Sequence, residues 1–220
     1  MKKGNAQKER RDKEQRIRGP KLAVLVARRT SYGLPFEEGL LKADRENRVI
    51  VSNKRMDQAL IGSEEWKSAK DGQPGWTGTM TGYTQPGERL GDTVEYVDPK
   101  TNIRWVFPVP QSFRGEKDCV LVVEHPDFTL ERDGNTRIVN AAKVGLVERF
   151  PPVDGWYDKD SSYGIPSGDK VKPSEQAVCL SRTDTRVAPV VRGNADYDVR
   201  QLVGLFSKPS TGLGMIVEAK

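Results

Sequence analysis

The sequence predicts a mainly β protein, built as a sandwich, a barrel or an irregular α+β sheet, with a basic N-terminal arm. The chain of 220 residues contains 21 glycines and 14 prolines. These residues are spread between short apolar runs, as expected for many strands joined by turns. Several of the runs alternate with a period of two, which is typical of half-buried strands.

The arm, residues 1–21, carries nine basic and three acidic side chains, a net charge of +6. The whole chain carries +5, so residues 22–220 carry −1 by subtraction. Acidic and basic side chains stand at i,i+4 spacing in residues 6–18 of the arm, but Ile17 is the only sizeable apolar residue of that stretch. Because a helix here would have no apolar face to bury, we expect a mobile arm that becomes helical on a partner.

Residues 22–150 are predicted to form a β-rich domain with short helices. The continuous apolar or β-branched runs Leu22–Ala27 and Arg48–Ser52 predict buried strands. Asn53 can cap the segment that follows. The apolar positions of that segment predict one or two short helices near residues 54–70.

Two hairpins give the clearest strand signals. Thr93–Val97 and Ile103–Phe107 are β-rich runs on either side of a Pro/Asn turn. Phe128–Glu131 and Thr136–Val139 flank a second turn at Asp133-Gly134. Further strands are predicted at Trp76–Tyr83, Cys119–Val123 and Val144–Phe150.

The C-terminal third is less regular. Residues 151–173 lack periodicity and are rich in Gly, Pro, Ser and Asp, which predicts a long loop or a linker. Residues 174–220 are predicted to form a C-terminal β segment, which can belong to the same domain. Its predicted strands are Ala177–Ser181, Arg186–Arg192, Arg200–Phe206 and Gly214–Ala219.

The two cysteines, Cys119 and Cys179, lie within apolar runs that are far apart in the sequence. Such cysteines behave as buried, reduced residues, and one distant pair makes no disulfide framework. The first apolar run is too short for a secretion signal or a membrane span. We therefore expect a cytoplasmic protein without a membrane partner.

His125 is the only histidine and stands next to Glu124. It can act as a general base beside Glu124 or Asp127. The simpler interpretation is a residue at the end of a strand, ahead of the turn made by Pro126. One histidine and two distant cysteines do not make a zinc site.

The segment Asp158–Gly164, with Asp169 beyond it, has alternating carboxylates and hydroxyls that can converge on Ca²⁺. Gly164 lies one position further along the chain than the glycine in the calcium loop of helix–loop–helix proteins. No amphipathic helix is predicted on either side of the segment. A solvated turn in which Asp and Ser side chains bond to the backbone explains the same residues. We predict no metal and no cofactor.

Aromatic and basic side chains lie close together at Tyr96, Arg104, Trp105 and Phe107. A sheet face that carries aromatic rings and arginine can stack the bases of a single strand. However, Trp105 and Phe107 are two residues apart and share one face of their strand. This spacing favours a place in the core.

Three segments near the C terminus, Arg186–Gly193, Val203–Phe206 and Thr211–Val217, resemble the closing part of the formylglycine-generating enzymes, a family with a C-type-lectin-like fold. The resemblance covers residues 186–218. No second glycine and no tryptophan follow Arg192-Gly193, and the reactive cysteine pair of that family has no counterpart. The resemblance implies a related C-terminal topology used for binding and does not imply the family's activity.

These observations favour a non-catalytic binding or structural module whose arm engages an anionic partner, RNA or DNA, because basic side chains neutralise phosphates. We predict no catalytic residue. Two alternatives remain open: a domain that binds a protein or a small ligand, and an enzyme that uses carboxylates. The predicted nucleic-acid contacts are Lys8, Arg10, Arg11, Lys13, Arg16 and Arg18.

Overall fold

The computed structural model describes residues 22–25, 35–60, 75–173, 177–180, 185–192 and 214–218. Strands dominate these ranges, which confirms the mainly β class. The helices are α1 (Phe36–Arg45) and α2 (Asn53–Leu60), and Gln111–Phe113 forms a short 3₁₀ turn. The strands are β1 (Leu22–Leu25), β2 (Gly75–Tyr83), β3 (Thr93–Val97), β4 (Arg104–Pro108), β5 (Val120–Glu124), β6 (Phe128–Asp133), β7 (Thr136–Ala141), β8 (Gly145–Val147), β9 (Gly155–Lys159), β10 (Pro166–Lys170), β11 (Val178–Leu180), β12 (Val187–Arg192) and β13 (Gly214–Glu218).

The strands form three open sheets. A six-stranded sheet has the order β1-β13-β2-β5-β8, and β12 pairs with β2 as well. A four-stranded sheet has the order β3-β4-β7-β6, and a three-stranded sheet has the order β10-β9-β11. The first and last strands of each order do not pair with one another, so none of the sheets in the described ranges closes into a barrel.

The six-stranded sheet lies between two apolar layers. On β5, Leu121 and Val123 belong to the core cluster shared with α1 and the four-stranded sheet. Val120 and Val122 belong to a second cluster, shared with the three-stranded sheet. Because both faces of β5 are buried, every position of its central run is apolar, as a two-sided strand requires.

Strand β2 is buried along its whole length but carries threonines on one face. Thr77 donates a hydrogen bond to the carbonyl of Val190 at 3.2 Å, and Thr81 donates to the carbonyl of Ala188 at 2.9 Å. The pairing of β12 with β2 becomes irregular after Pro189, which has no N–H to offer. The threonine hydroxyls therefore supply donors to buried carbonyls beside this irregularity.

Both predicted hairpins are confirmed: β3 pairs with β4 and β6 pairs with β7, each antiparallel. In the first turn, the side chain of Asp98 accepts a hydrogen bond from the N–H of Lys100 at 2.9 Å. Asn102 and, in the second turn, Gly134 have φ values of 55° and 54°. Asn and Gly tolerate this left-handed conformation better than other residues, which is why these turns are readable in the sequence.

Helix α1 was not predicted. Its buried face consists of Phe36, Gly39, Leu40 and Ala43, at the spacing of a helix that packs on a core. A methyl group at Gly39 would lie 2.9 Å from the Met215 side chain on β13. Gly39 allows α1 to approach the sheet, but glycine weakens an isolated helix. Helix propensity alone therefore does not indicate a helix in this segment.

Helix α2 is confirmed, but the residue that caps it differs from the prediction. The N–H of Arg55 donates to the Ser52 hydroxyl at 3.3 Å, so Ser52 is the N-cap. Asn53, the predicted cap, is fully buried instead. The strand predicted just before α2 is wrong, because only the single bridge Ile50–Val217 forms there.

The loop or linker predicted for residues 151–173 contains strands β9 and β10, so that interpretation is wrong over both strands. The two strands are antiparallel, and their register shifts between Ser167 and Lys170. Gly168, within this irregularity, has φ 81°. Short strands held by backbone pairing, with glycine and charged residues in them, give no period-two pattern of apolar residues.

The C-terminal strands complete sheets begun by the earlier part of the chain. Strands β12 and β13 both pair with β2, and β11 pairs with β9. The arm, the second short helix after residue 60, the strand Arg200–Phe206 and the side chain of Cys179 lie outside the described residues. Neither helix of the described ranges is long and apolar enough to cross a membrane.

Candidate functional site

The aromatic residues of the four-stranded sheet belong to the core and do not form a binding platform. Tyr96, Trp105 and Phe107 are 8%, 3% and 0% exposed, and all three lie in one core cluster. Arg104, on the opposite face, forms an ion pair with Glu95 at 2.5 Å. The core interpretation is confirmed, and base stacking on these rings is excluded.

Two ionisable residues of the described part of the chain, Glu124 and His125, lie beside a gap along β2. Strand β13 pairs with the start of β2 at Trp76, and β5 pairs with β2 only from Thr79 onward. Between these two points, the N–H of Gly78 donates to the carbonyl of Val51 at 2.8 Å. The carbonyl of Gly78 accepts from the N–H of His125 at 2.7 Å. The segment before α2 and the end of β5 thus replace the missing strand.

Gly78 is the residue that makes this gap possible. A methyl group at this position would lie 2.9 Å from Ile50 and 3.1 Å from the Cβ atom of His125. Both distances are shorter than ordinary contacts between carbon atoms. Any larger residue would therefore push the two segments away from β2.

Glu124 lies on the threonine face of this gap, at the N-terminus of α2. Its carboxylate accepts hydrogen bonds from the Ser52 hydroxyl and from the backbone N–H of Lys54. Thr79 accepts from the N–H of Asn53 at 2.8 Å and donates to Glu124 at 3.5 Å. Burial raises the pKa of Glu124, and the hydrogen bonds and the Lys54 charge offset this only in part. The carboxylate therefore acts as a second cap of α2.

His125 lies on the opposite face of the sheet, because successive side chains of a strand point to opposite sides. Its ring stands edge-on to Phe128, with centroids 6.3 Å apart. Its Nε2 atom is 3.7 Å from Asp44 of α1. Burial lowers the pKa of His125, against the opposing effects of Asp44 and Asp127. Since Glu124 faces the other layer, the two residues cannot act on one substrate atom as an acid–base pair.

Tyr163 closes the threonine side of the gap. Its carbonyl accepts from the Asn53 side chain at 2.5 Å. Its hydroxyl occupies the space that a side chain at Gly145 would need, since a methyl group there would lie 2.0 Å away. Burial raises the pKa of Tyr163, and the carboxylates of Glu124 and Asp160 add to this. The hydroxyl is therefore a hydrogen-bonding group at neutral pH.

The loop considered for calcium is a solvated turn. The side chain of Asp160 accepts from the N–H groups of Ser162 and Tyr163, at 2.8 Å each, as the Asx-turn interpretation predicts. Asp169 forms an ion pair with Arg149 at 3.4 Å instead. Within the described residues, no group of three or more His, Cys, Asp or Glu side chains is arranged to hold a metal ion.

Sequence reasoning located part of this region. It singled out His125 and Glu124 and the proline turn that follows them, and that turn is present. It missed the roles of Ser52 and Thr79, since threonine on a buried face and serine before a helix are common and carry no signal of their own. Only Gly78, an isolated glycine within a strand pattern, indicates that another segment approaches the backbone closely.

The six predicted nucleic-acid contacts of the arm lie outside the described residues. The chain matches no known protein-family model, and no curated protein or solved structure matches it either. The resemblance to the C-terminal segment of the formylglycine-generating enzymes stays a prediction.

Proposed function

We propose that this protein is a non-catalytic binding module of the cytoplasm whose basic arm engages the phosphates of RNA or DNA. The observation that carries the proposal is the uneven distribution of charge. The arm carries +6, whereas residues 22–220 carry −1. The release of counterions makes binding of a polyanion to the arm favourable. A body close to neutral offers no such net attraction.

The arrangement of charges in the described part of the body supports this division. Six of its arginines are paired with carboxylates and so add little to the local positive potential. To bind phosphate, each would have to leave its carboxylate. The pairs are Arg104–Glu95, Arg114–Asp92, Arg132–Glu37, Arg137–Glu37, Arg149–Asp169 and Arg186–Glu88.

An enzyme that uses carboxylates receives less support. The most buried carboxylate with a raised pKa, Glu124, is already occupied by Ser52, Thr79 and the N–H of Lys54. These contacts cap α2. Glu124 therefore has a structural role that accounts for its burial.

The test changes the arm and leaves the chain length unaltered. In one variant, Arg10, Arg11, Arg16 and Arg18 are replaced by Gln. Binding to labelled duplex DNA and labelled RNA is followed by fluorescence anisotropy between about 50 and 200 mM salt. With roughly five phosphate contacts, the wild-type plot of log K against log salt on duplex DNA should have a slope of about −4 to −5. The variant should lose most of its affinity, and its slope should fall to about −1, the value for the one contact that remains.

A matched control removes the same number of arginines from the body. Arg89, Arg104, Arg114 and Arg149 are exposed, and their replacement by Gln changes the net charge by the same amount. This control should keep most of the affinity and nearly the wild-type slope. Equal losses in both variants would show a nonspecific charge effect and contradict the proposal, as would a wild-type protein that does not bind at low salt.

A further inference from the structure

We infer that Arg132 is a phosphate contact on the body, and that it exchanges the carboxylate of Glu37 for a phosphate of the RNA or DNA that the arm engages. This inference rests on the proposed function and adds a residue of the body to the same binding surface. It is carried by an imbalance of charge, because two guanidinium groups of the β6–β7 hairpin share one carboxylate of α1.

Arg132 and Arg137 form a pair of like charges on the hairpin. They are directly opposite each other in the register of β6 and β7, an arrangement that destabilises a sheet unless an opposite charge lies nearby. Glu37, in the first turn of α1, supplies that charge and accepts hydrogen bonds from both side chains. Glu131 and Asp133, the acidic neighbours of Arg132, point to the other face of β6. Two positive groups and one negative group leave the cluster with a net charge of +1.

Arg137 holds the carboxylate of Glu37 in place by itself. Its Nε atom lies 3.0 Å from each oxygen of Glu37. Its Nη1 atom donates to the carbonyls of Gly134 and Thr136 at 2.9 and 3.1 Å. The side chains of Arg137 and Glu37 are only 12% and 15% exposed. Glu37 therefore keeps a charged, well-anchored donor when Arg132 leaves it.

Arg132 is held less firmly than its neighbour. Its side chain is 54% exposed, and its Nε atom donates to Glu37. An exposed ion pair contributes little to stability, so its loss has little effect. After the exchange, each guanidinium group has an anion of its own, which reduces the repulsion between β6 and β7. The other paired arginines of the body differ, because the departure of any of them would leave a carboxylate without its arginine.

The cluster lies close to the point where the arm joins the body. The arm ends at Leu22 of β1, and β1 pairs with β13 so that Leu25 is opposite Met215. Met215 lies against Gly39, two residues after Glu37 in α1. Leu22 and Leu25 are about 10 Å apart at the usual rise of a strand. Duplex DNA carries one charge per about 1.7 Å of its axis, so a duplex bound at the arm offers phosphates over this distance.

The first test compares two arginines of the four-stranded sheet. Arg132→Gln removes the inferred contact, whereas Arg104→Gln removes an arginine of similar exposure, 52%, that is paired one-to-one with Glu95. Both variants change the net charge by the same amount. Binding to labelled duplex DNA is followed by fluorescence anisotropy against salt. As one of the roughly five contacts, Arg132 contributes about 0.9 to the slope of log K against log salt, so Arg132→Gln should be shallower by that amount and Arg104→Gln should keep the wild-type slope.

A second test changes the carboxylate that competes with phosphate. Glu37→Gln keeps both arginines and removes their shared partner, so its affinity for duplex DNA at low salt should rise above that of the wild type. The matched control is Glu131→Gln, which changes the net charge equally at an exposed position on the other face of β6. The increase in Glu37→Gln should exceed the increase in this control.

The outcomes separate this inference from the proposed function. A wild-type protein that does not bind at low salt contradicts both. Binding that depends on the arm but keeps its slope in Arg132→Gln contradicts this inference alone. Equal changes of slope in Arg132→Gln and Arg104→Gln also contradict it, as does an equal gain in Glu37→Gln and Glu131→Gln. Where Glu37→Gln does not fold, the comparison of the two arginine variants decides.

Discussion

The hydroxyl of Thr81 offers a direct test of how the buried strand β2 is held to β12. Thr81 is 0% exposed and donates to the carbonyl of Ala188 at 2.9 Å. Replacement by Val keeps the β-branched shape and removes only the donor. The buried carbonyl of Ala188 then loses this side-chain donor.

The expected cost is the penalty for a buried polar group without its partner, about 1–3 kcal/mol in the free energy of unfolding. In a chain of this size, each kcal/mol lowers the melting temperature by about 2–4 °C. Urea denaturation followed by tryptophan fluorescence measures the free energy, and calorimetry measures the melting temperature. Thr77→Val removes two longer hydrogen bonds, the one donated to the Val190 carbonyl at 3.2 Å and the one accepted from the Thr79 N–H at 3.3 Å, and it should also destabilise the protein.

The matched control is Thr129→Val on β6, where the threonine is exposed. The same exchange of a hydroxyl for a methyl group should change the stability there by about 0.5 kcal/mol or less. If Thr81→Val and Thr129→Val have equal effects, the hydroxyl of Thr81 does not stabilise the β2–β12 junction. The account of that junction would then be wrong.

Two further predictions concern single ionisable groups. Burial, with smaller effects from nearby carboxylates, raises the pKa of the Cys119 thiol to about 11, so a thiol reagent at neutral pH should label Cys119 only after denaturation, and mass spectrometry of the labelled peptide measures this. The raised pKa of Glu124 means that the folded state binds its proton more strongly than the unfolded state. The stability of the wild type relative to Glu124→Gln should therefore increase as the pH falls from the raised folded value towards the ordinary value of 4.5. Urea denaturation of both proteins at several pH values in this window measures the difference between their free energies of unfolding. A difference that does not change with pH would contradict the prediction.

The hairpins could be predicted from the sequence because their determinants are local. Asp98 and Asn102 shape one turn by their own conformations and side-chain hydrogen bonds, and Gly134 shapes the other. The flanking strands then follow from the alternation of apolar residues. None of these features depends on a residue that is distant in the sequence.

Helix α1 and the three-stranded sheet could not be predicted in the same way. Gly39 is favourable in α1 only because Met215, far along the chain, lies against it. In the three-stranded sheet, β9 and β10 are held by backbone pairing, and of the β9 side chains only Tyr157 is buried. A pattern based on side chains therefore has little to detect.

The gap beside Gly78 gives the two ionisable residues at the end of β5 separate structural roles. Strand alternation turns Glu124 towards the helix start at Ser52 and turns His125 towards the helix end at Asp44. Each therefore connects a different helix to the same sheet, and each is half-buried because the strand that would otherwise fill the gap is missing. A catalytic role for either residue requires a substrate to displace one of these contacts and loosen a helix. Binding of a polyanion by the arm, as proposed above, requires no such displacement.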